Sequence, residues 1–326
     1  MNDQPFPDVR PPLGLETFST RTPTVLWRGW ASPALRDPGA AGSAPVLLLL
    51  HGTGGSRISW RPVSDALTST HEAGALPWHI LAPDLPGHGQ TCCTGHTRHG
   101  LREMAQDLAA LLESLQIRQV ALVAGHSAGA AVGLWLSHLS EVHSPGTVSQ
   151  VLGIAPSLVP PPAIYNLLLG PILAPLFASR ASVLGMTALA RRSGLIDQLI
   201  ASTGSTIAEQ QRVDYRALFS HSAHIQGAMD FMAATDLPAL LDRAPTLQSA
   251  LTLLIAEDDR WIPSVPLQRI IDAHYPRASV VRCTGGHLVQ EARPTLVADL
   301  ITTLHPGPVT AGPVSAHGDT PSPRHP

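Results

Sequence analysis

Along most of the chain, short uninterrupted apolar runs alternate with segments of helical period. Residues 25–30, 46–50, 79–82, 120–124, 148–154, 250–255 and 279–282 read as strands. Several of these runs show no alternation of apolar and polar positions, which is the mark of strands covered on both faces of a parallel sheet. After the third run, Leu101, Met104, Ala105, Leu108, Leu111, Leu112 and Leu115 repeat at spacings of three and four. Arg102, Glu103, Asp107 and Glu113 fall on the other side. This predicts an amphipathic helix packed on the sheet. Residues 128–139 and 265–274 follow the same pattern. The alternation predicts an α/β fold, a doubly wound and mostly parallel sheet with right-handed crossovers.

Residues 156–235 break the rhythm. They hold no convincing strand, a VPPPA breaker and several apolar helical patches. An all-helical insertion of this size reads as a lid over the carboxyl edge of the sheet. The core then comprises residues 23–155 and 236–305. Residues 1–22 read as an irregular extension, and 306–326 as a disordered Pro/Gly-rich tail. The most apolar stretch, residues 163–178, contains an Asn, a Gly and two Pro. It is too short and too broken to span a bilayer. Its readings are the apolar interior of the lid or a peripheral membrane contact.

Composition narrows the function classes. The 326 residues are 44% hydrophobic and 14% charged, which excludes global disorder. A net charge of −3 and an aromatic content of 4% argue against a nucleic-acid surface. All 21 basic residues are Arg, so Schiff-base, P-loop-lysine and Ser–Lys chemistry are excluded. Cys92, Cys93 and Cys283 form neither a disulfide framework nor a metal-ligand spacing. With no secretory start visible, a cytoplasmic protein is expected, peripheral to the membrane if the 163–178 stretch contacts lipid. No cofactor or metal is implied.

The chemistry gathers at the ends of predicted strands. Gly125-His126-Ser127-Ala128-Gly129 lies between an apolar run and a helical run. A strand-to-helix turn flanked by Gly lets Ser127 project its Oγ as a nucleophile. The plainer reading is a structural Gly turn with a capping Ser. His51-Gly52-Thr53-Gly54-Gly55 follows the strand VLLLL and is suited to supply an oxyanion donor. The backbone N–H groups of Thr53 and Ala128 are the candidates, with Gly54 next. A phosphate cradle is disfavoured because the Walker lysine is missing. His287 ends a Gly-Gly turn after the last strand and is the candidate base. The acid is Asp259 or Asp258, with Glu257 behind them. Asp259 is preferred because it stands four residues before Pro263, and the loser reads as a solvated loop charge. Asp84-Leu85-Pro86-Gly87-His88-Gly89 reads as a structural brace, and Trp60 as packing beside the site entrance. His221 and His224, three apart, read as ordinary histidines before metal or tetrapyrrole ligands. Cys92 and Cys93 read as plain loop thiols.

These motifs, in this order, resemble the α/β-hydrolase superfamily across about residues 23–305. HGTGG, DLPGHG, GHSAG, EDDRWIP and GGH carry the resemblance. HGTGG-S-x-x-S-W, APDLPGHGQT and GHSAGAAV look more specifically like the magnesium-chelatase accessory proteins of bacteriochlorophyll biosynthesis. So does the passage with Thr203-Gly204-Ser205, Tyr215 and residues 224–229. The resemblance implies Ser127 as nucleophile, Asp259 as acid and His287 as base, with Thr53 and Ala128 as oxyanion donors. It implies substrate contacts at Gly54, His126, Trp60, Tyr215 and His224. A serine hydrolase acting on a hydrophobic ester or thioester is expected, a tetrapyrrole ester among the candidates, with magnesium chelatase as partner. The alternative is a non-catalytic accessory or porphyrin-binding protein that assists magnesium insertion.

Overall fold

The computed structural model describes residues 6, 9–35, 44–69, 77–94, 99–143, 148–159, 183–185, 187 and 194–305. The strands are β1 (Glu16–Arg21), β2 (Val25–Ala31), β3 (Val46–Leu50), β4 (His79–Pro83), β5 (Cys92–Cys93), β6 (Val120–His126), β7 (Val148–Ile154), β8 (Ala250–Ala256) and β9 (Ser279–Cys283). They form one nine-stranded sheet in the order β1-β2-β4-β3-β6-β7-β8-β9, with β5 also paired to β2. From β4 to β9 neighbours run parallel; β1, β4 and β5 each pair β2 antiparallel.

Among the described residues the helices include α1 (Arg61–Ser69), α2 (Leu101–Ser114), α3 (Ala128–His143), α4 (Leu195–Ser202), α5 (Glu209–Leu218), α6 (Ser222–Ala234), α7 (Leu237–Leu241), α8 (Ser264–His274), α9 (Val289–Ala292) and α10 (Pro294–Thr303). The unbroken VLLLL run of β3 has a simple cause. Leu48 and Leu50 face a core shared with α2, α3 and α8. Leu47 and Leu49 face a second core shared with α1 and α10. Both faces are buried, so no polar position interrupts the strand.

The N-terminal segment differs from the irregular extension expected. Residues 16–21 form β1, an edge strand whose inward residue is Phe18. Phe18 sits opposite Gly29 in the register. A Cβ on Gly29 would stand 2.4 Å from the Phe18 ring, so Gly there admits the aromatic. Cys92 and Cys93 likewise lie in a short strand, not a loop. Between β7 and β8 the described residues include helices α4 to α7 and no strand. Residues 163–178 and 306–326, and the lid-interior, membrane and disordered-tail readings that rest on them, lie outside the described residues. No helix among the described residues is long and apolar enough to cross a membrane.

The chain leaves β3 toward β4 on one side and leaves β6 toward β7 on the other. The carboxyl ends of β3 and β6 therefore flank the topological switch point, where open α/β sheets form their crevice.

Candidate active site

Ser127 stands between the last residue of β6 and the first of α3, with φ of +52°. A non-glycine residue there is strained, and surrounding contacts hold it. Its N–H donates to the Ile154 carbonyl at 2.9 Å, and its own carbonyl accepts from the Ser157 N–H at 3.1 Å. The flanking glycines are steric requirements. A Cβ on Gly125 would lie 2.5 Å from the Ala130 nitrogen, and one on Gly129 would lie 2.3 Å from the Leu50 carbonyl oxygen.

His287 reaches this turn from the β9 end. Its Nε2 lies 2.9 Å from Ser127 Oγ, and its Nδ1 lies 2.8 Å from Asp259 Oδ2. Asp259 Oδ2 accepts only, so Nδ1 carries the proton and Nε2 is free to accept from the serine hydroxyl. The other carboxylate oxygen, Oδ1, accepts the N–H groups of Trp261 and Ile262, each at 2.8 Å. Ser127, Asp259 and His287 are 9%, 6% and 3% exposed. In such burial each hydrogen bond is stronger than in water.

The histidine loop is held from several sides. The His287 N–H donates to the Thr203 carbonyl at 3.0 Å. Its carbonyl accepts from His126 Nε2 at 2.8 Å. Burial pushes the His126 ring down to about 3, so it is a neutral donor at physiological pH. Asp258 is an exposed loop charge, as expected, and its Oδ2 also accepts the Gly285 N–H at 2.9 Å, which pins the turn before His287. Gly286 is required, because a Cβ there would meet the Gly204 backbone at 2.3 Å.

Thr53, Gly54, His126, Ala128 and Tyr215 line the same cavity as Ser127 and His287. Its volume is about 380 Å³. Ile196, Ile200, Phe219, Met232 and Leu237 supply apolar wall from the helical segment. No Asp, Glu or Arg is among the described lining residues. Two expected substrate contacts are not brought to it. Trp60 is fully buried in the core beneath α1, because the 3₁₀ turn Arg57–Trp60 carries it inward. His224, 1% exposed, is a bracket between loops. Its Nδ1 accepts from the Gly89 N–H at 3.1 Å and its Nε2 lies 3.2 Å from the Gly54 carbonyl oxygen. His221 stacks on Phe6 at 3.7 Å between ring centroids. Among the described residues, no group of three His, Cys, Asp or Glu is placed to hold a metal ion.

Some partners carried no sequence signal. Arg57 forms a buried ion pair with Asp84. Asp84 Oδ1 also accepts the Arg57 N–H at 2.7 Å, and Asp84 Oδ2 the Gln90 N–H at 2.9 Å. Glu291, four residues past the candidate base, accepts the Tyr215 hydroxyl at 2.7 Å. Burial raises the Glu291 carboxyl to about 8, so it is mostly uncharged at neutral pH.

A profile of the alpha/beta hydrolase family matches residues 47–300. The magnesium-chelatase 30 kDa subunit of Rhodobacter capsulatus is 33% identical over 263 residues, covering 78% of this chain and 84% of that protein. Among solved structures, a putative lipase from Acinetobacter baumannii superposes with a TM-score of 0.67 at 19% identity, over 89% of this chain and 91% of its own. A putative epoxide hydrolase from Pseudomonas aeruginosa gives 0.65 at 19% identity, over 90% and 97%. At such identities the structural likeness speaks for the fold.

Proposed function

The chain belongs to the alpha/beta hydrolase family, in the group of the Rhodobacter magnesium-chelatase 30 kDa subunit, and we propose that it is a serine hydrolase cleaving an ester or thioester of a hydrophobic substrate. The observation that carries this reading is the continuous relay Asp259–His287–Ser127 at 2.8 and 2.9 Å. In the proposed reaction, Ser127 Oγ attacks the carbonyl carbon while His287 Nε2 takes its proton. Asp259 keeps Nδ1 protonated and stabilises the imidazolium that forms. The N–H groups of Thr53 and Ala128 receive the developing oxyanion, each worth about 10²–10³-fold in rate. His287 returns the proton to the leaving alcohol or thiol. A water then repeats the sequence on the acyl-serine, releasing the acid and restoring Ser127.

The uncharged, largely apolar wall supports a neutral hydrophobic acyl or alkoxy group. Gly54, His126 and Tyr215 are the wall contacts we assign to substrate. A tetrapyrrole ester joins this chemistry to the magnesium chelatase in the relative's name. That name also favours a second reading, an accessory protein that binds porphyrin and assists magnesium insertion without catalysis. A p-nitrophenyl ester series and protoporphyrin binding, measured on wild type and Ser127→Ala, separate the two. The hydrolase reading expects turnover that falls by about 10⁴-fold or more in the variant. It fails if the folded wild type cleaves no ester and Ser127→Ala supports magnesium insertion as well as wild type does.

A further inference from the structure

The candidate base follows two consecutive glycines, Gly285 and Gly286. Gly285 has φ of +141°, and neither residue has a side chain to anchor the loop. The backbone before His287 is therefore permissive, and contacts must fix it. They act on the two peptide planes that flank the His287 Cα. The plane before it is held through the His287 N–H, which donates to the Thr203 carbonyl at 3.0 Å. The plane after it is held at both edges. The His287 carbonyl accepts from His126 Nε2 at 2.8 Å, and the Leu288 N–H donates to Ser205 Oγ at 2.8 Å. Two of these three holds come from one turn, residues 203–205, just past the end of α4.

The turn is itself fixed from within. Thr203 Oγ1 donates to the Ile200 carbonyl at 2.6 Å and accepts the Ser205 N–H at 3.1 Å. Gly204 packs so closely that a Cβ on it would stand 2.5 Å from the Asp258 carbonyl oxygen. Thr203 and Ser205 are 2% and 7% exposed. Thr203 lines the cavity, whereas Ser205 is not among the described lining residues. The Ser205 hydroxyl thus meets the base loop and not the substrate. We infer that Ser205 is a positioning residue for the proposed reaction, its hydroxyl holding the His287–Leu288 peptide so that Nε2 faces Ser127. This deepens the hydrolase reading and rests on it for its kinetic test. Without the hydroxyl, the buried Leu288 N–H loses its acceptor and one edge of the peptide is released. A misplacement of about 1 Å at the base is enough to cost about 10²-fold in rate.

The test is kcat and KM for p-nitrophenyl butyrate in wild type, Ser205→Ala and Ser205→Thr, with folding checked by thermal melts. We expect Ser205→Ala to lower kcat by about 10- to 10²-fold with KM within about twofold. Ser205→Thr keeps the hydroxyl and should recover most of the loss. A role in stability alone would leave kcat per folded molecule unchanged. If Ser205→Ala does not fold, Ser205→Cys, a weaker acceptor of similar size, replaces it and should lower kcat in the same way. Wild-type kcat in the folded variant, or a loss that appears in KM alone, would overturn the inference and leave the hydrolase reading standing. If wild type cleaves no ester, the hydrolase reading falls. The downfield proton NMR signal of the His287 Nδ1–H, assigned by its loss in His287→Ala, then decides the positioning role. It should be present in wild type and Ser205→Thr and broadened away in Ser205→Ala. The same signal in all three proteins, or none in wild type, would overturn the inference.

Discussion

Substituting His224→Gln should make the protein less sensitive to acid. His224 is 1% exposed, and its ring bridges the Gly89 N–H and the Gly54 carbonyl as a neutral imidazole. Burial, reinforced by neighbouring His88, pushes its pKa from 6.5 to about 3. A folded pKa below the unfolded value means that the unfolded chain binds the extra proton. Stability therefore rises with pH through this window and is lost as pH falls below 6.5. At pH 5 the unfolded chain lies one and a half units below its own pKa of 6.5, while the folded ring is still neutral. At about 1.4 kcal/mol per unit, this one residue removes about 2 kcal/mol between pH 7 and 5. That is a large part of a net stability of about 5–15 kcal/mol. His88, lowered to about 4, His126, lowered to about 3, and buried His51 act in the same direction. Glu291, raised to about 8, and His99, raised to about 10 beside Asp107, oppose them, because their folded forms hold the proton more tightly. The difference between variant and wild type cancels these other groups. A glutamine can keep both hydrogen bonds without titrating. Urea unfolding followed by tryptophan fluorescence at pH 7, 6 and 5 gives the comparison. The expected loss between pH 7 and 5 is about 2 kcal/mol smaller in His224→Gln. The same loss in both proteins would mean that the buried His224 ring does not stay neutral in the folded protein between pH 7 and 5.

Two further substitutions, Gly129→Ala and Arg57→Met, probe the frame of the site, and Gly185→Ala serves as a control. Gly129→Ala places a methyl 2.3 Å from the Leu50 carbonyl oxygen and should destabilise by about 3 kcal/mol or more. Gly185→Ala, with nothing within 4 Å, should be neutral or slightly stabilising in the same urea titration. Arg57→Met leaves the Asp84 carboxylate buried without its cation, and should lower stability at pH 7 by about 3–5 kcal/mol. A variant as stable as wild type would mean that Asp84 is not charged in the folded protein.

How much of this was legible in the chain depended on the range of each interaction. Strands buried on both faces announced themselves, because Leu47 to Leu50 alternate between two cores and need no polar position. β1 was missed because its inward position is filled by Phe18 alone among polar neighbours, and the Gly29 that receives it lies on another strand. Ser127, Asp259 and His287 were legible by one shared property, placement just past strand carboxyl ends, and the fold brings them within hydrogen-bond reach. Trp60 shows the limit of that reasoning. Nearness to the HGTGG loop says nothing of which way a short 3₁₀ turn points its side chain, and here it points into the core. Arg57 with Asp84, His224 with Gly54 and Tyr215 with Glu291 are contacts between distant segments that no local periodicity encodes.

The proposed hydrolase requires Ser127 to be an activated nucleophile, and treating the full-length protein with a fluorophosphonate and locating the adduct by peptide mass spectrometry shows whether it is. An activated Ser127 gives a single phosphonylated serine, Ser127, with labelling lost in His287→Ala although the serine remains. A folded wild-type protein that stays unlabelled, or that labels equally well without His287, would contradict it.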